Sequence, residues 1–493
     1  MIEPKIYFTD FFEVKEKTLE RYGAFNISLL TDIPLFVDPF LLFNSKKRKY
    51  QKLHKEIIKY LIFLRDVATD KGVLDQGLIN AWYKFSEVKQ NWLGFTSDGN
   101  RGSGLGSGFA KALHENLGNL FGDFGNETSK VAKDSHLEKL CLIKDHVGRD
   151  NISDFTTNLI KSYLLEYTEA FTKRFIHRKY KKRFRVKKAV FNYSTKSWVE
   201  RTYTLPNFNN DFVILTPKDI LTRDDTWINK GDLYKDFESI PTSIGDSELR
   251  SQVDYYFRSL LPKKRDPKKE ERDTAIMETL RKFPQLIDYF IKFKEEQGDK
   301  ATSVSGEKVR FSEHVFISNV YEFFKTVKSE ELQGLEDPDS YTEAQNRINF
   351  FKHKIENGDC YRLFYSGNKP VKHEKDVQLF FKFVWMGTKF SVDAEVNNGR
   401  GPVDFKISKG ANDCTLVEFK LGSNTSLKKN LKKQVEIYEK ANSTEKSIKV
   451  IVYFNKAELF KIQRILKELK LLNSNSVILI DARKDNKPSG SRA

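Results

Sequence analysis

Between residues 342 and 482 the hydrophobic period changes repeatedly, and that succession limits the fold more than anything else in the chain. Thr342 to Glu356 carries apolar residues at helical spacing. Three short strand candidates follow, Phe390 to Val396, Pro402 to Ser408 and Thr415 to Leu421, separated by Gly- and Asn-rich turns. Leu427 to Ala441 is helical in pattern, Ser447 to Phe454 (SIKVIVYF) reads as a buried strand, and Ala457 to Leu472 is helical again. Ser476 to Ala482 (SVILIDA) closes the series. A helix, a three-stranded meander and then helix, strand, helix and strand imply a mixed sheet flanked by helices, an α/β sandwich.

Residues 1 to about 335 read differently, as a mostly helical α+β region of one or two subdomains. Gln51 to Ala68 and Asn158 to Ile176 have helical spacing, while Ala189 to Phe191 and Asp211 to Leu215 form a β-like patch. The charged stretch from Arg265 to Asp273 is expected to be exposed and to open onto a helix running to Phe283. Glu330 to Asp339 (EELQGLEDPD) is polar and holds Gly and Pro, which places the domain boundary there and the last domain at 341–493.

The chain has 493 residues, of which 39% are hydrophobic and 13% aromatic, enough to build packed cores. No apolar run approaches the ~20 residues that span a bilayer. The first residues, MIEPKIYFTDFFEVKEK, lack the basic start and apolar stretch of a secretory signal. Cys141, Cys360 and Cys414 are too few and too scattered for a disulfide framework or a zinc cluster. A cytoplasmic protein is expected. The formal net charge is +17, and residues 341–493 hold 29 Lys and Arg against 17 Asp and Glu, so most of the excess sits in the last third. Such a balance favours a polyanionic partner, because binding releases counterions.

The chemistry-bearing residues lie in two of the strand candidates. Asp404 is in GPVDFKIS, and Glu418 and Lys420 are in TLVEFKL. In an extended strand, positions i and i+2 share a face, so Glu418 and Lys420 project together while Phe419 turns into the core. If the Asp404 strand pairs with this one, Asp404 and Glu418 can bracket one hard cation. Mg²⁺ prefers a few carboxylate oxygens with water and substrate phosphate completing its shell. Lys420 beside it could orient or deprotonate a water, or stabilise a phosphorane; the pattern leaves the three open.

GPVDF followed by VEFKL resembles the signature of the PD-(D/E)xK nucleases, with one extra residue between Pro402 and Asp404. The resemblance implies a restriction-endonuclease-like fold, with Asp404 and Glu418 as ligands of Mg²⁺ (Mn²⁺ as a substitute) and Lys420 as the catalytic lysine. Gln434 and Tyr438, in QVEIY, share one face of the following helix and resemble the QxxxY element of the RecB-like branch. That likeness implies contacts to the active site or the DNA backbone. HEKDVQLFFKFVW is similar to the first helix of such domains, where Glu374 would be the accessory acid. Glu395 is a further candidate, as is Arg400 in AEVNNGRGPVDF. Arg400, Lys428, Lys429, Lys432 and Lys433 are the expected nucleic-acid contacts.

Other features are weaker. Gly102, Gly104, Gly106 and Gly108 form a glycine-rich loop running into a helix, either a tight turn or a phosphate cradle. Lys173 to Lys188 (KRFIHRKYKKRFRVKK) interleaves cations with Phe175, Tyr180 and Phe184, as a nucleic-acid surface or a solvated face would. Ser153 or Asp154 is expected to cap a helix, with a second acidic metal site at Asp150 and Asp154 as the alternative. His136, His146 and His177 have no metal-ligand spacing and read as surface or satisfied core residues.

The expectation is a metal-dependent endonuclease hydrolysing DNA, an effector of bacterial anti-phage defence or restriction, with no membrane partner. Self-association or a partner defence protein would complete it, and residues 1–335 would recognise or regulate. The alternatives are a repair or recombination nuclease and a non-catalytic DNA-binding assembly protein.

Overall fold

The computed structural model describes all residues except 1–4, 31, 72–74, 95–104, 120–123, 126–130, 143–148, 224, 264, 327–337, 367, 386–387, 398–401, 411–412, 433–445, 473 and 488–493. The chain divides into two compact units, 1–94 with 100–310, and 95–99 with 311–493. The polar stretch in which the sequence places a boundary falls within the second unit, largely outside the described residues. No described helix is long and apolar enough to cross a membrane.

The first unit is helical with small sheets. Its longest helix, α1 (Arg48–Lys71), buries Ile57, Tyr60, Leu61 and Leu64 on one side, the spacing that makes an amphipathic helix. The predicted helix over 158–176 is interrupted. It forms as α2 (Arg149–Leu159) and α3 (Lys161–Phe175), with Ile160 at φ −96°, ψ 12° between them. Near that break, side chains bond the main chain: Thr156 Oγ1 donates to the Ile152 carbonyl at 2.7 Å, and Asn158 Nδ2 donates to the carbonyls of Asp154 and Ser86. Such bonds compete with helix propagation.

After α3 the chain forms a long hairpin, β1 (Lys181–Asn192) and β2 (Ser197–Phe208), joined by an antiparallel ladder with a bulge between Val186 and Val190. Phe191 and Trp198 anchor it on α1, with ring centroids 4.8 and 5.4 Å from Tyr60. The expected strand over 211–215 shortens to Asp211–Phe212. Val213 N still continues its ladder against β2 by donating to Pro206 O, and the next amides leave it, Ile214 N for Gln90 O and Leu215 N for Thr168 Oγ1. The charged stretch opens onto a helix as expected, at Lys269–Lys282. Ser153 and Asp154 do not cap α2 but lie inside it, and Ser153 Oγ instead accepts from the Val37 amide at 2.9 Å. Among the described residues no group of three or more His, Cys, Asp or Glu side chains is placed to hold a metal.

The core of this unit contains a carboxyl pair. Asp38 and Glu138 are both 0% exposed. Asp38 accepts from the amides of Phe40 and Trp227, at 3.0 and 2.8 Å, whereas neither carboxyl oxygen of Glu138 has a hydrogen-bond partner among the described residues. Burial pushes Asp38 up to about 6 against the pull of those amides; burial and then the neighbouring Asp38 push Glu138 well above the carboxylate range. An acid raised in the folded state binds more protons folded than unfolded. Its stabilising contribution is therefore complete below the unfolded value of ~3.9 and is lost as pH rises through the folded value. Asp38→Asn, which keeps an amide acceptor, is expected to gain on the wild type by on the order of 3 kcal/mol between about pH 4 and pH 7. Urea midpoints of the full chain at the two pH values measure this, and parallel pH dependences would refute it.

The second unit is a five-stranded mixed sheet packed against helices. The helices α4 (Ser340–Glu356) and α5 (Glu374–Val384) precede β3 (Ser391–Asn397), β4 (Pro402–Lys409) and β5 (Asp413–Leu421). Then come a helical turn over 427–432, β6 (Lys446–Tyr453), α6 (Lys456–Glu468) and β7 (Val477–Asp481). Strand order is β7-β6-β5-β4-β3; β3, β4 and β5 run antiparallel as a meander, while β5, β6 and β7 are parallel.

Parallel neighbours need a crossover and are covered on both faces, which suits the apolar run of β6, buried from Ile448 to Tyr453. One face packs through Phe405 and Phe419 onto Phe351 of α4 and Phe381 of α5. The other packs Ile451 and Tyr453 against Leu427, Leu431, Ile462 and Ile465.

Candidate active site

The site is built on the splayed ends of β4 and β5. Their antiparallel register runs from Asp413↔Lys409 to Val417↔Phe405 and stops. One step further, Asp404 stands opposite Glu418, and the next amide is taken by a side chain: Phe419 N donates to Asp404 Oδ2 at 2.6 Å. A carboxylate has replaced a backbone carbonyl in the ladder, so the strands part where the acids sit. Alternation along β5 buries Val417, Phe419 and Leu421 and leaves Glu418 and Lys420 half-buried on the opposite face.

Lys420 is the centre of the cluster. Its Nζ donates to Glu374 Oε2 at 3.2 Å and to the Phe419 carbonyl at 2.9 Å, and lies 3.8 Å from Asp404 Oδ2. Glu374 comes from 46 residues upstream, as the first residue of α5, where the helix dipole favours a carboxylate. Its Oε1 accepts from Asn424 Nδ2 at 2.9 Å and from the Leu421 amide at 3.4 Å. Glu374 is thereby held in place to face the ammonium.

The charges perturb one another in a half-buried space. Burial works to lower the Lys420 ammonium, but Asp404, Glu374 and Glu418 outweigh it and hold the lysine above its ordinary value. Glu418 is raised, first by burial and then by Asp404 and Glu374, while Lys420 and Lys449 pull it down. Lys449, only 5% exposed, occupies the position beside Glu418 on β6, and burial lowers it despite the attraction of Glu418. Three carboxylates face two ammonium groups. That excess of negative charge suits an added cation.

Of the residues expected from the sequence, Asp404, Glu418, Lys420 and Glu374 come together. Glu395 falls between the pairs Ala394↔Phe405 and Val396↔Val403, so its backbone stands beside that of Asp404 on β3. Arg400, Lys433, Gln434 and Tyr438 lie outside the described residues. Lys428, Lys429 and Lys432 are exposed on the 427–432 turn, whose Leu427 and Leu431 point into the core, and Lys428 pairs with Glu468 at 2.7 Å. Two contributors escaped the sequence reading. Lys449 had a visible signal, a lone charge inside the apolar run SIKVIVYF; Asn424, in a polar turn, had none.

The weaker candidates resolve separately. Gly102 and Gly104 lie outside the described residues, and Gly106 precedes the helix Ser107–Asn119. His136 is a core residue, its Nε2 3.0 Å from Glu295 Oε1; His177 accepts from the Lys179 amide at a turn; His146 lies outside the described residues.

Residues 340–456, which contain the whole cluster, match a family described as a domain of unknown function, DUF8371, and residues 13–229 match a second such family, DUF8370. No curated protein and no solved structure matches the chain.

Proposed function

We propose that the second unit is a nuclease of the PD-(D/E)xK type that hydrolyses DNA phosphodiesters with a divalent cation, and that the chain serves bacterial anti-phage defence or restriction. One observation carries this reading. Asp404, Glu418, Lys420 and Glu374, drawn from three elements, converge where β4 and β5 part.

The donor set fits Mg²⁺ or Mn²⁺. Among the described residues no three ligating side chains are grouped to hold an ion, so a cation would rest on Asp404 and Glu418, with water and phosphate oxygens completing its shell. When bound, it would polarise the phosphodiester and lower the pKa of a coordinated water. The protein's own contribution starts with Lys420. Held above its ordinary value, it is an ammonium at neutral pH, which favours orienting the attacking water or stabilising charge on the phosphorane over taking up a proton. Glu374 and Asn424 fix its position. Lys420 and then Lys449 offset part of the burial that raises Glu418.

The test is plasmid cleavage by the purified chain. Nicking or linearisation with Mg²⁺ that stops with EDTA is the expected result; no cleavage of any DNA in Mg²⁺ or Mn²⁺ would remove the reading. The defence role is tested apart from it, by phage plating on cells carrying the gene or its Glu418→Gln form. Equal plating on both would reject that role.

A further inference from the structure

We propose that the β1–β2 ribbon of the first unit is a second nucleic-acid surface, one that grips the phosphate backbone of duplex DNA without reading its sequence. The inference stands on the first unit alone and does not depend on whether the second unit cuts.

The charge arrangement is the first argument. Within eight residues β1 carries Lys181, Lys182, Arg183, Arg185, Lys187 and Lys188. Side chains alternate along the strand. Val186 is buried, and so are Tyr203 and Leu205 opposite Phe184 and Lys182. Phe184 packs on Phe212 at 5.5 Å, which identifies this face as the inner one. Arg183 and Arg185 therefore point outward and are exposed, ~7 Å apart along the strand. Their cross-strand partners are Thr204 and Thr202, not acids.

A sheet face arranged for stability places opposite charges across the ladder, and like charges on one face cost free energy. Here Glu200 meets Arg185, and Lys182, Arg183 and Lys187 enter no ion pair among the described residues. Two cations of the run do have internal tasks. Lys181 donates to the Thr172 carbonyl, and Lys188, in the left-handed region at φ 49°, donates to the carbonyls of Asn80 and Lys84. Lys182, Arg183 and Lys187 are left for an external polyanion, and Arg185 would exchange Glu200 for a phosphate.

The aromatic residues decide which polyanion. Proteins that hold single strands offer aromatic faces to unpaired bases. The aromatics interleaved in this run are already engaged. Phe175 packs on Phe171 at 5.0 Å, Phe184 on Phe212, and Tyr180 meets Phe12 edge-on and donates its hydroxyl to Glu13. Apart from the Glu200 carboxylate paired with Arg185, what the ribbon presents outward is guanidinium, ammonium and threonine hydroxyl, the chemistry of phosphate contact. Two 12-residue strands span ~40 Å, and the major groove of a duplex admits a two-stranded ribbon.

The test uses the full chain with Arg183→Gln, Arg185→Gln and Lys187→Gln combined, and fluorescence anisotropy on a duplex of about 30 base pairs in EDTA. Each lost phosphate contact removes ~0.9 from the slope of log affinity against log salt. Between about 50 and 200 mM salt the wild type should therefore lose ~40-fold more affinity than the variant, equally on unrelated sequences. Arg183→Lys with Arg185→Lys should keep the wild-type slope, and unchanged circular dichroism shows that the hairpin has folded. Equal slopes for wild type and Gln variant would overturn the proposal. So would ribbon-dependent binding that prefers a single strand of the same length, or that appears on phosphatidylserine vesicles but not on duplex. Binding is read in EDTA, where the proposed metal-dependent cutting does not run, so loss of cutting and loss of ribbon binding are read independently.

Discussion

Replacing Lys420 by alanine is expected to lower the rate of DNA cleavage by roughly 10²–10⁴-fold, the range for losing one positioned proton-transfer or charge-stabilising group. The reason lies in how the ammonium is held, between Glu374 at 3.2 Å and Asp404 at 3.8 Å and against the Phe419 carbonyl at 2.9 Å. Removing it deletes the ammonium at the centre of the proposed site and leaves the carboxylates facing one another. Glu418, already raised by burial, Asp404 and Glu374, would then rise further, so the acid limb of the pH–rate profile should move to higher pH. Single-turnover cleavage of supercoiled plasmid measures the first effect, and its pH profile the second. A rate within tenfold of wild type would remove Lys420 from the chemistry. Unchanged circular dichroism separates this loss from misfolding.

The largest effect on stability is expected at Phe381→Ala, at about 3–5 kcal/mol. Phe381 is fully buried. Its ring lies 5.5 Å from Phe351, 5.4 Å from Phe405, 4.8 Å from Phe419 and 6.0 Å from Trp385, centroid to centroid. Truncation removes the ring that joins α4 and α5 to the two strands bearing the acids, and the neighbouring aromatics cannot collapse far into the gap. The urea midpoint of the second unit reports it, and a loss under about 1 kcal/mol would mean that the site can repack. Because Phe419 supplies both a core ring and the amide bonded to Asp404, a loosened core should also slow cleavage.

Much of the second unit was legible because its signals are local. The strand expected over Pro402 to Ser408 forms as Pro402–Lys409, and that over Thr415 to Leu421 as Asp413–Leu421. Alternation within β5 needs no partner, so the shared face of Glu418 and Lys420 followed from two residues of spacing. Where side chains found distant partners, the local reading went astray. Ser153 looked like a cap and instead accepts from Val37, 116 residues away. The 213–215 segment looked like a strand; Val213 continues the ladder to Pro206, and the next two amides leave it for Gln90 and Thr168.

The sequence by itself determined the order of elements, the mixed sheet they imply, and which residues of each strand turn to one face, since these depend on periodicity within a few residues. Only the tertiary structure decided that β4 and β5 part at Asp404, that Glu374 reaches Lys420 across 46 residues, and that Lys449 stands beside Glu418. It alone decided, too, that the aromatics of the basic run pack on neighbouring rings while Arg183 and Arg185 face outward. Those relations depend on strand register and on loop closure between distant segments, and the free energy of both is set by the whole packed unit rather than by any stretch of chain.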